Sequence, residues 1–467
     1  MAGIRRASLS AWVAVGMIVA AVAATAPHPA GAQGAFSPGA TGGADPYFPL
    51  QGNGGYDVQH YDIAFPYNPG TRRMVGTTTI TAVATQNLSR FNLDLTGLVV
   101  REIRVNRSSA TFSHQGQEVS VTPAAGLPTG QTFVVLVRYD GSPTHVVDPD
   151  GSMDGWIVTS DGAYVAGAPQ GAMTWFPGNH DLRDKATHTF RVTVPDGTTA
   201  VGNGALASTS SAGGQTTFVW RSTEPMTDYL ATTTIGRFNL TTTQTALGPN
   251  YIAVDPATNT SPSNAVFQTP DIVAWLSTVF GPYPFSVTGG IVDNAGFVGY
   301  ALETQTKPIY PLAPFTQLVV HELAHQWYGD SVTPISWKDV WLNEGFATYA
   351  EWLWNERTSG NSVQAQFDAQ YARPASDPFW QVRPGDPGPP AVFHPAVYHR
   401  GAMTLQALRR TVGSRIFLTI LRLWADQHRH GSATTQQFID LAERQSGRQL
   451  DDLFQRWLYT SGKPSFP

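Results

Sequence analysis

The chain has 467 residues, a formal net charge of −5 and only 13% charged residues. This length allows about three domain-sized units with large hydrophobic cores. The weak net charge and the lack of a long basic run argue against nucleic-acid binding, so the expected partner is a small solute or a peptide. The chain has no cysteine, so the fold must be stable without disulfides.

Residues 1–32 have the composition of an export signal. Arg5 and Arg6 precede an apolar stretch at residues 9–24, and Ala32 ends a run of small residues that suits cleavage. The apolar stretch is shorter than the roughly 20 residues that a transmembrane helix needs. We therefore expect a secreted or periplasmic protein with no membrane span in the mature chain.

A β-rich domain is predicted to follow this signal. Residues 33–45 are rich in Gly, Ala, Ser and Pro, which predicts a flexible leader. In residues 46–245 apolar side chains recur with period two, as at Phe133, Val135 and Val137, and this spacing is typical of β-strands. We predict that this region is an antiparallel β sandwich or saddle.

The remainder, residues 246–467, is predicted to be a second, mainly helical domain. It begins with a stretch rich in Gly, Pro, Thr and Ser, and a mixed α/β piece extends to about residue 310. Helical patterns then lie near residues 398–410, 414–428 and 435–445, separated by glycines. The sequence therefore predicts a multidomain α+β protein.

The sequence His-Glu-Leu-Ala-His at residues 321–325 is the most informative part of this domain. Residues four apart share a helix face, so His321 and His325 can direct two imidazoles at one ion. Glu344 follows after eighteen intervening residues. Two histidines and one glutamate are typical ligands of catalytic zinc, which leaves a fourth position for water. We predict one zinc ion per chain, held by His321, His325 and Glu344.

Two other interpretations of the motif fit the sequence less well. Two histidines and a glutamate can share an amphipathic helix by chance, but the second carboxylate at Glu344 favours a metal site. A metzincin would need a glycine and a third histidine where this chain has Tyr328 and Ser331.

Glu351 lies two turns beyond Glu344, where it can either orient a ligand imidazole or remain an exposed charge.

Several segments together resemble one enzyme family. Residues 321–330, His-Glu-Leu-Ala-His-Gln-Trp-Tyr-Gly-Asp, and residues 341–351 closely resemble the M1 family of zinc metallopeptidases, the gluzincin aminopeptidases that include aminopeptidase N. Gly-Tyr-Ala-Leu-Glu-Thr at 299–304 is similar to that family's Gly-Ala-Met-Glu-Asn element. Tyr-His-Arg-Gly-Ala at 398–402 is similar to its tyrosine-bearing helix start. Phe-Pro at 176–177 matches a segment of the family's β domain.

The resemblance implies a thermolysin-like catalytic domain and a role for five further residues. Glu322 is expected to be the general base that takes a proton from water and passes it to the leaving amine. Tyr398 is expected to face the substrate carbonyl. Glu303 is expected to pair with the free α-ammonium of a peptide, Ala301 to contact the substrate, and Gln170 of the β domain to reach the amine as well.

The chain departs from the family pattern in two ways. Leu302 and Thr304 replace the family's Met and Asn, so the backbone contacts to a bound peptide are expected to differ. The sequence also reads as a short form that ends after the catalytic domain, without the large C-terminal helical domain of many relatives.

The sequence therefore favours a secreted, monomeric zinc aminopeptidase that acts on peptides. One alternative is a thermolysin-like zinc endopeptidase with an open cleft. A peptide-binding protein without catalysis is disfavoured, because the complete set of predicted ligands and acid–base residues is present.

Overall fold

The computed structural model describes residues 34–261 and 263–465, so the export signal predicted at 1–32 lies outside the described residues. From Phe36 onward the chain forms one compact unit. A mainly β part comes first and a mainly helical part follows, which confirms the predicted α+β organisation. Within the described ranges, none of the helices has the length and apolar character needed to cross a membrane.

Short and long strands make up the first part of the described chain. They are β1 (Ser37–Pro38), β2 (Tyr56–Asn68), β3 (Arg73–Ala84), β4 (Leu88–Asp94), β5 (Val99–Val105), β6 (Ser108–Ser109), β7 (Thr111–Gln115), β8 (Glu118–Thr122), β9 (Thr132–Gly141), β10 (His145–Val147), β11 (Met153–Val158), β12 (Ala163–Ala166), β13 (Ala186–Pro195), β14 (Thr199–Gly202), β15 (Ala205–Ala212), β16 (Gln215–Met226) and β17 (Thr233–Gly236).

The largest sheet has eight strands in the order β15-β16-β13-β2-β3-β9-β5-β6. Phe133, Val135 and Val137 alternate along β9 and are buried, as their spacing predicts. Most neighbours pair antiparallel, but β13 pairs with β2 in parallel. The predicted antiparallel sheet therefore contains one parallel pair, that of β13 and β2. Parallel neighbours cannot be joined by a hairpin, and the chain forms β3 to β12 and the loops between them before it reaches β13.

The segment predicted as a flexible leader is packed against the protein from residue 34 onward. Strand β1 pairs in parallel with β4. A Cβ atom added at Gly39 would lie 2.3 Å from the carbonyl oxygen of Gly54, and one at Gly43 would lie 2.5 Å from a carboxylate oxygen of Asp181. The glycines that suggested flexibility are therefore the residues that let this segment pack closely.

The second part contains the helices and the remaining strands. The strands are β18 (Asn239–Thr245), β19 (Gly248–Val254), β20 (Thr288–Val292), β21 (Ile309–Tyr310), β22 (Val332–Pro334) and β23 (Gly431–Ala433). The helices are α1 (Thr269–Phe280), α2 (Thr316–Ala324), α3 (Trp341–Ser359), α4 (Val363–Tyr371), α5 (Pro395–Val412), α6 (Ser414–Gln427), α7 (Thr435–Ser446) and α8 (Asp451–Phe454).

Strands β18 to β21 form one four-stranded sheet. The predicted domain boundary between residues 245 and 246 lies in the turn between β18 and β19, which pair antiparallel over their whole length. The chain therefore passes from the β part to the helical part within one sheet.

Close packing of α3 against α5 brings two functional segments together. A Cβ atom at Gly345 of α3 would lie 2.9 Å from the backbone of Gly401 in α5. Because both positions lack a side chain, the two helix backbones can meet there. Glu344 and Tyr398 flank this contact in sequence, so the helix crossing sets their separation.

Arg400 of α5 forms hydrogen bonds to the C-terminal segment at residues 456–460. Its side chain is fully buried and its guanidinium donates hydrogen bonds to backbone carbonyls only. The accepting oxygens belong to Trp380, Val382, Arg456, Trp457 and Thr460. A planar group with five donors suits such a set of carbonyls, so one side chain satisfies several buried acceptors beside the helix that carries Tyr398.

We predict that Arg400→Met destabilises the protein by about 3 kcal/mol or more, because the apolar chain leaves several buried carbonyls without a donor. Urea unfolding followed by circular dichroism measures this change. Arg415→Met, at an exposed position of α6, is the matched control and should stay within about 0.5 kcal/mol of the wild type. Equal unfolding midpoints for the two variants would contradict the assigned role of Arg400.

Candidate metal and substrate site

A cavity of about 360 Å³ lies between the β part and the helices. Its walls come from the turn between β10 and β11, the loop after β12, the segment before β21, and helices α2, α3 and α5. The lining residues are Asp150, Ser152, Ala168, Tyr300, Ala301, Leu302, Glu303, Phe315, Leu318, His321, Glu322, His325, Glu344, Glu351, Phe393 and Tyr398. Both parts of the molecule therefore contribute to one site.

The predicted metal ligands converge at the floor of this cavity. The Oε2 atom of Glu344 lies 3.1 Å from Nε2 of His321 and 3.4 Å from Nε2 of His325. A tetrahedral ion with bonds of roughly 2.0 Å places its ligand atoms about 3.3 Å apart. Glu344 Oε2 therefore lies from each imidazole nitrogen at the spacing that one zinc ion requires, and all three donor atoms lie within 4.8 Å of one another.

The other ring nitrogen of each imidazole has its own partner. Nδ1 of His321 lies 2.7 Å from Oε1 of Glu351, and Nδ1 of His325 lies 3.1 Å from the carbonyl oxygen of Tyr328. Such partners fix the ring orientation and leave Nε2 free for the metal. Of the two possibilities for Glu351, the structure therefore supports the one in which it holds a ligand imidazole.

The charges of the ligand set reinforce one another. Burial opposes ionisation of Glu344, but His325 and His321 outweigh it and hold the pKa of Glu344 below its ordinary value. Burial also opposes protonation of His321, yet Glu344 and Glu351 raise the pKa of His321 above its ordinary value. Protons and a metal ion therefore compete for the same imidazole nitrogens.

Glu322 lies on α2 between the two histidines and lines the cavity; it is not one of the three predicted ligands, although it forms a second cluster of possible ligand atoms with Glu303 and His325. Burial raises the pKa of the Glu322 carboxyl to about 8. A bound dication would lower that pKa, because nearby positive charge favours the carboxylate. The position is suited to a group that gains and loses a proton near neutral pH.

Tyr398 stacks against a metal-ligand imidazole at the start of α5. The ring centroids of Tyr398 and His321 are 5.9 Å apart, with an angle of 19° between the planes. Burial, reinforced by Glu344 and Glu303, raises the pKa of the Tyr398 phenol well above its ordinary value. The phenol therefore stays protonated and can donate a hydrogen bond into the cavity.

Glu303 and Ala301 line the cavity beside the metal ligands. The Glu303 side chain is only 5% exposed, and the Tyr229 hydroxyl donates to its Oε1 atom at 3.2 Å. Gln326, one residue after the second histidine, donates to the Glu303 backbone carbonyl at 3.1 Å. Glu303 is thus a buried carboxylate that is fixed from two sides.

Gln170 occupies a different place from the other predicted site residues. Its amide donates to Asp148 Oδ1 at 2.9 Å, and within the described chain it is not part of the cavity lining. Ala168, two residues earlier in the same loop, lines the cavity instead. Two further residues belong to the site: Asp150 lines the cavity, and Tyr229 donates a hydrogen bond to Glu303. Neither lies in a segment with a local catalytic pattern, so the sequence alone does not reveal them.

Comparison with solved structures gives extensive matches. The M1 zinc metallopeptidase of Deinococcus radiodurans is 31% identical, with a TM-score of 0.84, and the match covers 91% of this chain and 98% of that one. A mutant of the Deinococcus radiodurans enzyme, in which a glutamate is replaced by alanine, was solved bound to a Tyr-Ser-Ala substrate. It is 30% identical, with a TM-score of 0.83, and the match covers 91% and 99% of the two chains.

Comparison by sequence agrees. Residues 301–457 match the model of the peptidase family M1 domain. Aminopeptidase N of Streptomyces lividans is 29% identical over 227 residues, which is 43% of this chain and 26% of that protein. The chain matches less than half of the length of such curated relatives, from 22% to 47%. These structural relatives are zinc metallopeptidases, and the donor set described above suits the same metal. On the near-complete structural match, the chain belongs to the M1 family of zinc metallopeptidases.

Proposed function

We propose that this chain is a zinc aminopeptidase that hydrolyses the first peptide bond of peptides. The observation that carries the proposal is the buried Glu303 carboxylate, which shares one cavity with the metal ligands and Glu322. A buried carboxylate in a cavity wall pairs well with a terminal ammonium group, because the ion pair offsets the cost of burial. A substrate held in this way presents the bond one residue from its end.

The protein's own groups then have distinct tasks. When bound, zinc supplies a Lewis acid that polarises a carbonyl and makes water more acidic. Glu322 accepts a proton from the attacking water and delivers it to the departing amine. The Tyr398 phenol donates a hydrogen bond to the substrate oxygen as negative charge develops there. Glu303 fixes the ammonium end of the substrate, so that water attacks a carbonyl that is already in position.

The relatives support a peptide substrate. The Deinococcus radiodurans enzyme was solved with Tyr-Ser-Ala, a short peptide. This chain has the same fold over 91% of its length and presents Glu303 in its cavity. Short peptides with a free amine are therefore the substrate class that we propose.

We further propose that the protein is exported and acts as a monomer. The composition of residues 1–32 supports export, and N-terminal sequencing of the mature protein tests it by locating the cleavage site. A monomer is supported because the metal ligands and Glu303 all come from one chain. Light scattering in solution tests this state, and a stable dimer would contradict it.

Removing the carboxylate of Glu351 should weaken zinc binding by about 10- to 100-fold, since the His321 imidazole would lose the partner that orients it. The variant Glu351→Ala is titrated against a competing chelator, and its zinc dissociation constant is compared with that of the wild type. Glu356→Ala, farther along the same helix, is the control. An unchanged zinc affinity in Glu351→Ala would show that the carboxylate does not position the ligand.

Turnover should fall by about 10²- to 10⁴-fold in Glu322→Gln, because the amide cannot accept the proton of water. Zinc content should remain near one ion per chain, since Glu322 is not a ligand. Tyr398→Phe should lower turnover by at least about tenfold through the lost hydrogen bond. Turnover is measured with a chromogenic amino-acid anilide and zinc by elemental analysis. Normal turnover in Glu322→Gln would exclude this residue as the base.

Acetylating the N-terminus of a peptide substrate should nearly abolish cleavage, because the Glu303 carboxylate would face a neutral amide. Glu303→Gln should weaken cleavage of the free peptide strongly and change cleavage of the acetylated peptide little. Mass spectrometry of the products measures both the rate and the bond that is cut. If both forms of the peptide were cut equally fast at internal bonds, the enzyme would be an endopeptidase and the aminopeptidase proposal would fail.

A further inference from the structure

We propose that Tyr229 is a positioning residue for substrate recognition. It would orient the Glu303 carboxylate so that one oxygen faces the terminal ammonium of the substrate. This inference rests on the proposed aminopeptidase function and assigns a specificity role to a residue of the β part. Tyr229 itself is not among the described residues that line the cavity, so it would act through Glu303.

The hydrogen bonds around the phenol have a defined direction. The side-chain amide of Asn343 donates to the Tyr229 hydroxyl oxygen at 3.4 Å. The hydroxyl in turn donates to Oε1 of Glu303 at 3.2 Å. Because the phenol has a single proton, a hydroxyl that donates to Glu303 can only accept from Asn343. In the proposed arrangement this hydrogen bond engages Oε1 of Glu303 and turns Oε2 toward the ammonium.

Tyr229 is well placed to act as a fixed support. It lies in the short helical turn Asp228–Leu230 between β16 and β17. The preceding residue, Asp228, has a buried carboxylate 3.1 Å from Nε2 of His188. The following residue, Leu230, accepts a hydrogen bond through its carbonyl from Asn203 at 2.9 Å. Both neighbours of Tyr229 are therefore tied to the interior of the β part.

The ring and backbone of Tyr229 are also closely packed. Its ring meets that of Trp337 edge to face, with centroids 5.1 Å apart. A Cβ atom at Gly167 would lie 2.7 Å from the carbonyl oxygen of Tyr229. The phenol therefore has little freedom to follow Glu303 if that carboxylate moves, which is what a positioning group requires.

The backbone and the side chain of Glu303 are held by different parts of the molecule. Gln326, at the end of the metal-binding segment, holds the Glu303 carbonyl and also accepts a hydrogen bond from the backbone of Thr306 at 2.7 Å. This contact fixes the main chain but leaves the carboxylate free to turn about its last torsion. Tyr229 supplies the hydrogen bond that restrains this rotation.

The consequence is a selective effect on substrate binding. Without the phenol, the carboxylate would keep its charge but lose its preferred orientation, so pairing with an ammonium would become weaker. Within the described residues the hydrogen-bond partners of the Tyr229 hydroxyl are Asn343 and Glu303, and neither is Glu322 or a metal ligand, so the chemical step should be unaffected. When a lost interaction had stabilised the bound substrate and the transition state equally, KM rises and kcat is unchanged.

The test is Tyr229→Phe, which keeps the ring and removes only the hydroxyl. We expect KM for a free tripeptide to rise about tenfold, the usual effect of losing a hydrogen bond to a charged group, with kcat within about twofold. The preference for the free over the acetylated peptide should fall by the same factor. Binding of an amino-acid amide to the zinc-loaded protein, measured by calorimetry, should weaken equally and does not depend on turnover.

Tyr283→Phe is the matched control. Its hydroxyl is likewise a buried donor, but it donates to the backbone carbonyl oxygen of Val287 at 3.0 Å, and Tyr283 lies outside the cavity lining of the described chain. This variant should lose stability without a change in KM. A rise in KM in both variants would mean that general destabilisation, and not positioning, causes the effect, and it would overturn the inference.

Combining Tyr229→Phe with Glu303→Gln separates this inference from the proposed function. If Tyr229 acts through Glu303, its hydroxyl should add no further change to KM in the Glu303→Gln background. Full additivity, or an unchanged KM in Tyr229→Phe alone, would refute the positioning role while Glu303 remained the amine-binding group. If Glu303→Gln itself left the preference for free peptides intact, the proposed function would fail first.

Discussion

Three buried carboxylates, those of Glu303, Glu322 and Glu344, face one cavity, and their mutual repulsion is the constraint on which the site depends. Like charges at this depth cannot all remain ionised without compensation. His321 and His325 compensate Glu344, and a zinc ion adds positive charge at the same point. A terminal ammonium would compensate Glu303. The cavity is therefore suited to bound positive charge, from a metal ion beside Glu344 and from the proposed ammonium beside Glu303.

The arrangement of donors explains how one fold keeps these carboxylates distinct. Glu344 lies close to two imidazoles and Glu303 accepts a hydrogen bond from the Tyr229 phenol, whereas neither contact is found at Glu322 among the described residues. Their hydrogen-bond partners therefore differ, although all three side chains are buried in one cavity and the same two histidines favour the ionised form of each. Such divergence allows one carboxylate to bind metal, one to bind a cation and one to transfer protons.

The β part does more than cover the catalytic helices. The turn between β10 and β11 and the loop after β12 form walls of the cavity, and the segment between β16 and β17 supplies Tyr229. The chain also passes into the helical part through a single sheet that contains both β18 and β20. The cavity, and with it the proposed substrate recognition, is therefore formed by both the β part and the helical part, which the sequence predicts as separate domains.

The sequence by itself determined the family, the metal and the α+β organisation, because these follow from local patterns. The spacing of His321 and His325 is a property of one helix turn, and alternation along β9 is a property of one strand. Tertiary structure alone decided that Glu351 meets His321, that Gln170 meets Asp148 instead of lining the cavity, and that β13 lies parallel to β2. It also decided that Tyr229 reaches Glu303 across 74 positions. Contacts of this kind depend on how separate elements pack, and no local periodicity encodes that packing.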